Sequence, residues 1–218
     1  MSLVVYTANF GPKDDKLRPP PARTNVRFVA FTDQEAPGWE VRPAFAEAST
    51  SRRTARLHKC LAHRLFPEAQ ATLWMDASYE PTCDLGSYVL KATENFKHDF
   101  CTFKHTHRVC LYQEIRACSM MKKDEPKVLT DQGSRYSQEG YPYFNGLCET
   151  GLVVRLNTPS VQTLNELWWK EIEAGSCRDQ ISLPYALWKL RRGYKQLPGR
   201  AMACPHGFKF HSHCFRFR

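Results

Sequence analysis

An aspartate at the end of a short apolar segment is the residue of this sequence best placed to do chemistry. Residues 71–75 read Ala-Thr-Leu-Trp-Met and lead into Asp76, with Ser78 two positions further on. An apolar run of this length that ends at a polar break is typical of a buried strand. Open α/β folds bind ligands at the carboxyl ends of their strands, where the Asp76 carboxylate can coordinate a hard divalent cation that carries a diphosphate. The alternative is an aspartate that only opens a turn.

Two earlier segments also end in small polar residues. The first predicted strand covers residues 3–7 and is followed by Ala8, and the second covers residues 26–31 and ends in Thr32 and Asp33. Such an edge of a sheet suits a nucleoside, with Asp33 accepting a hydrogen bond from the base or the ribose. Thr32 and Asp33 are equally compatible with an ordinary turn.

A helix predicted over residues 54–66 places basic side chains just before the Asp76 strand. Arg56, Lys59 and His63 recur at positions i, i+3 and i+7 and therefore form one stripe. Such a stripe can meet a diphosphate, and its alternative role is a charged face in water.

The elements that must position these residues alternate along the chain. Strands are predicted over residues 100–103 and 152–156, and helices over residues 87–95, 110–121 and 128–138. Two more helices follow, the first with Ser160 as its N-cap and the second with Pro184 in its first turn. This alternation predicts a single α/β domain with a mostly parallel central sheet flanked by helices.

Composition bounds the class of protein. A length of 218 residues and 42% hydrophobic residues suit one packed domain. No apolar run approaches the roughly 20 residues that cross a bilayer and the first residues do not read as a signal peptide, so we expect a cytoplasmic protein. The nine cysteines include no C-x-x-C pair, which favours reduced, buried thiols. A zinc site is the alternative for the last of them, with candidate ligands Cys204, His206, His211, His213 and Cys214.

The net charge of +9 is concentrated near the C-terminus. From Lys189 onward the sequence has eight Lys and Arg and no Asp or Glu. Basic residues interleaved with aromatic ones can hold a nucleic-acid backbone and stack on bases, and the aromatic positions here are Phe208, Phe210, Phe215 and Phe217. The alternative is a solvated tail without a dedicated partner.

A series of short motifs runs through residues 3–190. In order they are Val5-Tyr6-Thr7-Ala8, Phe31-Thr32-Asp33, Ala55-Arg56, Leu65-Phe66-Pro67, Leu73-Trp74-Met75-Asp76-Ala77-Ser78, His107-Arg108, Tyr112-Gln113-Glu114, Glu139-Gly140-Tyr141-Pro142, Glu149-Thr150-Gly151, Trp168-Trp169-Lys170-Glu171-Ile172 and Cys177-Arg178-Asp179-Gln180-Ile181-Ser182. Together they resemble the TOD/MUCI glycosyltransferase-like domain family. The strand at Gly151, the following helix and the Asp179-Gln180 pair are also similar to the glycogenin and galactinol synthase family.

These resemblances imply a GT-A-like, Rossmann-like domain over residues 1–190. Residues 191–218 are then a basic, aromatic segment packed on the same domain. The implied donor is a nucleoside-diphosphate sugar, with UDP as the expected nucleotide. The residues expected to bind it are Thr7, Ala8, Thr32, Asp33, Arg56, Lys59, Asp76 and Gln180.

The same resemblances imply a metal site and a catalytic group. Mn²⁺ or Mg²⁺ would bind Asp76, with Ser78 at the second position of the family's Asp-x-Asp motif. A late histidine would be the third ligand, and His211 is the expected one, with His206 and His213 as alternatives. The predicted catalytic residues are Asp179, Glu149 and Arg178. Asp179 would position the sugar or act as a base, unless it only caps the helix that follows.

The function predicted from the sequence is sugar transfer to an acceptor hydroxyl. Because no membrane anchor of the kind implied for plant members of the family is apparent, the resemblance implies an enzyme of a bacterium or a phage-infected cell. The expected acceptors are a hydroxymethylated base in phage DNA, which the basic C-terminal segment would bind, a surface polysaccharide, or a small molecule. The alternative is a non-catalytic nucleic-acid-binding module on a degenerate transferase fold, suggested by Ser78.

Overall fold

A computed structural model describes residues 2–11, 17–21 and 26–211, with the backbone alone at residue 204. The strands are β1 (Leu3–Asn9), β2 (Arg27–Thr32), β3 (Glu40–Arg42), β4 (Ala71–Met75), β5 (Tyr79–Pro81), β6 (Phe100–Lys104), β7 (Cys148–Leu156), β8 (Lys195–Gln196), β9 (Gly199–Arg200), β10 (Cys204–Pro205) and β11 (Phe208–Phe210). The helices are α1 (Ser51–Cys60), α2 (Ala62–Leu65), α3 (Leu85–Ala92), α4 (Leu111–Met120), α5 (Pro126–Gln138), α6 (Pro159–Ala174) and α7 (Asp179–Lys189).

A seven-stranded sheet forms the centre of the described residues, in the order β3-β2-β1-β4-β7-β6-β8. The pairs β1–β2, β1–β4, β2–β3 and β6–β8 are parallel. Strand β7 runs antiparallel to both of its neighbours, β4 and β6. The predicted α/β domain with a mostly parallel sheet is therefore confirmed.

The central strands are buried on both faces, as their unbroken apolar sequences predict. Every residue of β1 and of β4 is buried. On one face Tyr6 and Trp74 belong to a core that includes residues of α1, α6 and α7. On the other face Val5 and Leu73 pack in a second core with α3 and Phe208 of β11. The two cores fix the direction of the strand ends that carry the polar residues.

The helix predicted over residues 54–66 is divided in two. Helix α1 begins at Ser51, where Thr50 caps it by accepting from the N–H of Arg53, and the backbone breaks at Leu61 before α2. As a result the predicted basic stripe diverges. Arg56 and Lys59 point to the carboxyl edge of the sheet, whereas His63 Nε2 lies 2.8 Å from Glu166 Oε1 on α6.

Two predictions about helix starts were wrong. Thr158, not Ser160, is the N-cap of α6, because its hydroxyl accepts from the N–H of Val161 and Pro159 already occupies the first helical position. Pro184 lies inside α7 rather than in its first turn, because the helix begins at Asp179.

The described part of the basic C-terminal segment is integrated into the domain. Strand β8 pairs with β6 in the central sheet, and β11 pairs with β5, which follows Asp76. Phe208 and Phe210 of β11 both contact the ring of Tyr79. The predictions that concern His213, Cys214 and the last two phenylalanines lie outside the described residues.

The described side chains contain no disulfide-bonded cysteine, and the described residues contain no helix suited to crossing a membrane. Seven cysteines are free thiols, six of them buried and Cys83 exposed. Among the helices described here, none has the length and apolar character that a bilayer crossing requires.

Candidate active site

A polar cavity of about 470 Å³ opens at the carboxyl edge of the central sheet, beyond β4. It is walled by residues of α1, α4, α7 and the N-terminal half of β7, and by the segments that follow β4 and β6. Its ionisable lining residues are Arg56, Lys59, Asp76, His105, Arg108, Glu114, Cys118, Lys123, Glu149, Arg178 and Asp179, together with Tyr79. A larger depression of about 620 Å³ between α4 and α5 has one charged residue, Arg116, in its lining. The carboxyl-edge cavity is therefore the candidate active site.

Strand direction explains why these residues meet. Asp76 directly follows β4, and because β7 is antiparallel to β4, its first residues lie at that same edge. The N–H of Asp76 donates to the carbonyl of Gly151, at 2.9 Å. Glu149 and Thr150, at the start of β7, thereby face the end of β4.

Lys59 and Asp179 form a buried ion pair at the bottom of the cavity. Lys59 Nζ donates to Asp179 Oδ2 at 2.5 Å and to Thr150 Oγ1 at 3.1 Å, and lies 3.5 Å from Asp76 Oδ1. Thr150 in turn donates to Asp179 Oδ2 at 2.7 Å. The three ammonium protons therefore have three acceptors, and side-chain exposure is only 1% for Lys59 and 3% for Asp179.

The charges around Asp179 keep it ionised. Burial by itself would raise its pKa, but Arg56, whose Nε lies 3.4 Å from Asp179 Oδ1, and Lys59 outweigh this effect and hold the pKa far below its usual value. Asp179 is thus a persistent anion. It opens α7, but its carboxylate is directed at Lys59 and Thr150.

Asp76 has partners on one of its two carboxylate oxygens. Oδ1 accepts from Trp74 Nε1 at 2.6 Å and lies near Lys59 Nζ. The Lys59 ammonium also stands over the Trp74 ring, 5.3 Å from its centre. The Asp76 side chain is 36% exposed, so it is the accessible acid of this group.

A second acidic group lies on the opposite wall. Glu149 Oε1 accepts from the N–H of Thr106 at 3.3 Å and lies 3.6 Å from His105 Nε2. Burial is the largest influence on Glu149 and raises its pKa, although the Thr106 hydrogen bond opposes the effect. A buried carboxylate with a raised pKa is a better proton acceptor than Asp179.

His105 is a buried, neutral histidine beside Glu149 and Arg108. Burial, then the charge of Arg108, lowers the pKa of His105 to about 4. Its Nδ1 accepts from the N–H groups of His107 at 3.1 Å and Arg108 at 3.0 Å. Its Nε2 lies 3.1 Å from Arg108 Nη2 and 3.6 Å from Glu149 Oε1, so the neutral ring stands between the arginine and the glutamate.

Glu114 holds two arginines at the cavity wall. Arg108 Nε donates to Glu114 Oε2 at 2.5 Å, and Arg178 Nη2 lies 3.9 Å from Glu114 Oε1. Arg178 Nη2 also donates to Gln180 Oε1 at 3.1 Å. Arg178 Nε is buried and makes no hydrogen bond within the described residues, and Arg56 Nε has the Asp179 contact at 3.4 Å. Both side chains line the cavity, where guanidinium groups suit an anionic ligand.

The residues predicted to hold the nucleoside are close to one another but do not line this cavity. The ends of β1 and β2 lie side by side, with Asn9 opposite Thr32. Thr7 is buried and its hydroxyl makes no hydrogen bond within the described residues, and Ala8 follows it. The Asp33 carboxylate accepts from the N–H of Gly11 at 2.9 Å. Their role stays a prediction.

The donor set predicted for a metal does not fit an ion held by the protein. Asp76 and Ser78 line the cavity, but the His211 side chain is directed to Glu80, with Nε2 2.6 Å from Oε2. Only the backbone of His211 reaches Ser78, through its N–H to the Ser78 carbonyl at 2.8 Å. Among residues 2–11, 17–21 and 26–211 no three His, Cys, Asp or Glu side chains form a group that could hold an ion.

Sequence reasoning assigned no role to His105, Arg108 and Glu114. One signal for Glu114 was present in the sequence. It lies three residues after Leu111 and four before Cys118, on the apolar face of α4, where a charged residue needs a partner. No local pattern connects it to Arg178, 64 positions later.

Comparisons with known proteins agree with this architecture. A family model described as TOD1/MUCI70, glycosyltransferase-like domain, matches residues 44–202. The probable hexosyltransferase MUCI70 of Arabidopsis thaliana is 26% identical over 142 residues, which are 62% of this chain and 24% of that protein. The chain thus spans about a quarter of that relative's length.

A solved structure supports the fold. The crystal structure of mouse xyloside xylosyltransferase 1, apo form, matches with a TM-score of 0.50 and 9% identity, covering 89% of this chain and 84% of that one. At this identity the likeness concerns the fold, which is GT-A-like. With the family model matched over most of the sequence and its motifs in order, the chain belongs to the TOD1/MUCI70 glycosyltransferase-like domain family.

Proposed function

We propose that this chain transfers a sugar from a nucleoside-diphosphate sugar to an acceptor hydroxyl. The observation that carries the proposal is the cavity itself. It combines three partly exposed arginines on one side with a buried acid of raised pKa, Glu149, on the other. Family membership supports transferase chemistry for this arrangement. A hexose is the proposed sugar, in line with the printed name of the Arabidopsis relative, and UDP is the proposed nucleotide.

The diphosphate of the donor fits the arginine side of the cavity. Arg56, Arg108 and Arg178 have side chains that are 18%, 28% and 21% exposed, so each can reach a ligand without leaving its acidic partner. Planar guanidinium groups bind phosphate oxygens in pairs. They also stabilise the negative charge that grows on a departing diphosphate.

The acceptor hydroxyl fits the Glu149 side. In the transfer step, the bond between the anomeric carbon and the diphosphate oxygen breaks, and its electron pair leaves with the nucleoside diphosphate. The acceptor oxygen forms the new bond to the anomeric carbon, and its proton passes to the Glu149 carboxylate. We assign the base to Glu149 because Asp179 has a lowered pKa and is already paired with Lys59 and Arg56. Asp179 then positions Lys59 rather than accepting a proton.

The acceptor class is open between the sequence-based candidates. A hydroxymethylated DNA base stays a prediction, and no described contact supports it, because its argument included residues 212–218, which lie outside the described part. A glycan or a small hydroxyl compound needs no such segment. The Mn²⁺ or Mg²⁺ expected from the resemblance is not part of this proposal, because the described residues do not bring the expected ligands Asp76, Ser78 and His211 together.

A donor panel tests the proposal. UDP-, GDP- and TDP-hexoses are incubated with the protein, with and without glycan acceptors and hydroxymethylated DNA, in buffers with and without Mn²⁺, and released nucleoside diphosphate is measured. We expect one nucleotide class to be turned over and Glu149→Gln to lower turnover about 100-fold or more. Glu173→Gln, an exposed glutamate of α6, is the matched control. Absence of turnover with every donor, combined with tight DNA binding, would support the binding-module alternative instead.

A further inference from the structure

We propose that this transferase needs no divalent cation, because its own cationic side chains neutralise the donor diphosphate. Lys59 supplies the positive charge beside Asp76, and the diphosphate-binding groups are Arg56, Arg108 and Arg178. The inference rests on the proposed function, in that it concerns how the same donor is held. It departs from the metal dependence that the sequence predicts.

The first observation is that the Asp76 carboxylate already has a cation. The Lys59 ammonium is fully buried, lies 3.5 Å from Asp76 Oδ1, and has Asp179 and Thr150 as its other acceptors. An ion bound to Asp76 Oδ1 at the usual metal–oxygen distance of about 2.1 Å would stand within about 5.6 Å of this ammonium. Two cations at that distance repel each other.

The second observation is the shortage of metal ligands around Asp76. The position two residues later offers the Ser78 hydroxyl, which is uncharged, and the His211 ring is directed to Glu80. Asp179 is the next carboxylate, but its two oxygens face Arg56, Lys59 and Thr150. Among the residues that the structure describes, a divalent ion here would have one accessible carboxylate, whereas such sites are usually built from several oxygen ligands.

The third observation is the presence of donors that suit a diphosphate. Arg56 and Arg178 both line the cavity, with Arg178 Nε making no hydrogen bond in the described residues and Arg56 Nε 3.4 Å from Asp179 Oδ1. Arg108 completes the group through Glu114, which it shares with Arg178. Five Lys and Arg line the cavity against four Asp and Glu, and one of these four, Glu149, has a raised pKa. The guanidinium groups of these three arginines can therefore supply the positive charge that a metal ion would otherwise provide.

The division of labour between Lys59 and the arginines follows from hydrogen bonding. All three protons of Lys59 have acceptors in the protein, so Lys59 acts as a fixed charge and holds Asp76 and Asp179 in place. The arginine side chains are 18–28% exposed, so they are the groups that contact the phosphate oxygens. Substitution of an arginine should therefore weaken diphosphate binding directly, whereas the binding should tolerate a neutral residue at Asp76.

Ligand binding to chelator-treated protein tests the proposal without depending on turnover. UDP, GDP and inorganic pyrophosphate are titrated by calorimetry and by thermal unfolding, once with excess EDTA and once with Mn²⁺. We expect at least one of them to raise the Tm in EDTA, because a ligand selective for the folded state stabilises it. Addition of Mn²⁺ should change its Kd by no more than about twofold.

Variants distinguish binding of the diphosphate by arginines from binding through a metal ion on Asp76. Arg178→Gln and Arg56→Gln should each weaken the nucleotide about tenfold in EDTA, and Arg178→Lys should restore part of the loss because it keeps the charge. Asp76→Asn should leave the Kd in EDTA within about twofold, because an asparagine oxygen can still accept from Trp74 and Lys59. Arg64→Gln, whose partner Glu166 lies outside the cavity, is the control. The Tm of each variant without ligand reports whether it is folded.

Two outcomes would overturn the inference, and only the second would also remove the support for the proposed donor. Binding that appears only with Mn²⁺ and is lost in Asp76→Asn would establish a metal site and leave the proposed transferase function intact. Binding of no nucleotide or pyrophosphate in either condition would remove both the arginine site and the proposed donor.

Discussion

The two acids on opposite sides of the cavity differ in their neighbours, and this difference decides their chemistry. Asp179 faces Arg56 and Lys59, which stabilise its charged form, whereas Glu149 is buried beside a neutral histidine, which does not. The pKa values therefore move in opposite directions from those of free carboxylic acids. Pairs of this kind usually separate a structural anion from a proton acceptor.

This assignment predicts the pH dependence of transfer. A base is active only when deprotonated, and burial raises the pKa of Glu149 above its usual 4.5. We therefore expect kcat/KM to fall as the pH is lowered, with the midpoint of the fall above pH 4.5. The profile is measured with the donor found in the panel, and thermal unfolding at each pH shows that the protein stays folded. A midpoint at or below pH 4.5 would contradict the role of Glu149.

The buried pair gives a prediction for stability. Asp179→Asn leaves the Lys59 ammonium buried without its nearest carboxylate, and we expect the free energy of unfolding to fall by about 3 kcal/mol or more. Because the folded-state pKa of Asp179 lies below its usual 3.8, its contribution is fully present above that pH and is lost as the pH falls further. Urea unfolding at pH 7 measures the change. Asp131→Asn, in an exposed pair with Lys127, should leave stability unchanged.

At the residue scale, part of this site was predictable from the sequence. The resemblance to the family predicted Lys59, Asp76, Glu149 and Asp179, all of which line the cavity. Their chemical roles depend on distances between side chains from four separate elements, and no local pattern contains these distances. The pKa difference between the two acids therefore became visible only in the structure.

At the scale of elements, the antiparallel pair of β5 and β11 forms one wall of the cavity. Tyr79 of β5 contacts the rings of Phe208 and Phe210, and its hydroxyl donates to the carbonyl of Ala201 at 2.8 Å. The sequence analysis did not predict this pairing. Both strands have three residues, too few for a periodic pattern, and more than 120 residues separate them along the chain.

Close packing of this wall on β7 predicts the effect of a single methyl group. A Cβ at Gly151 would come within 2.7 Å of two atoms of the Tyr79 ring, Cε2 and Oη. We expect Gly151→Ala to lower the free energy of unfolding by about 1–3 kcal/mol, because the ring must move. It should also weaken donor binding, since Tyr79 lines the cavity. Gly193→Ala, at a position with open space around the Cβ, is the matched control. Equal stability of the two variants would contradict the contact.

Long, apolar elements were the ones that the sequence predicted well. The strand predicted over residues 100–103 corresponds to β6, and helix α5 was predicted to within two residues at its start. The strand predicted over residues 152–156 covers only the second part of β7, which begins at Cys148. The break at Leu61 was missed, because residues on both sides of it have helical character and the packing of the short α2 on α6 decides the direction.

At the scale of the whole molecule, the direction of β7 determines where the catalytic groups meet. Alternating strands and helices predicted a parallel sheet, in which the first residues of a strand lie at the edge away from the ligand. The reversal of β7 brings Glu149 and Thr150 to the ligand edge instead. The sequence predicted the class of fold, but strand direction depends on contacts with β4 and β6 that lie more than 40 positions away.

Because the C-terminal strands β8 and β11 pack on the rest of the domain, we expect the chain to unfold as one unit. Strand β8 extends the central sheet, and Phe208 of β11 is buried in the core beside Tyr79 and Tyr88. A chain ended after Leu190 loses these contacts, so we expect it to be strongly destabilised and unable to bind the donor.

In the full chain, Phe208→Ala should lower the free energy of unfolding by about 3–5 kcal/mol. Urea unfolding followed by tryptophan fluorescence and by circular dichroism should give one common transition. Phe45→Ala, at an exposed phenylalanine, is the control. A shortened chain that keeps the Tm and the nucleotide affinity of the full one would show instead that residues 1–190 fold independently, with the later strands as an addition to a complete domain.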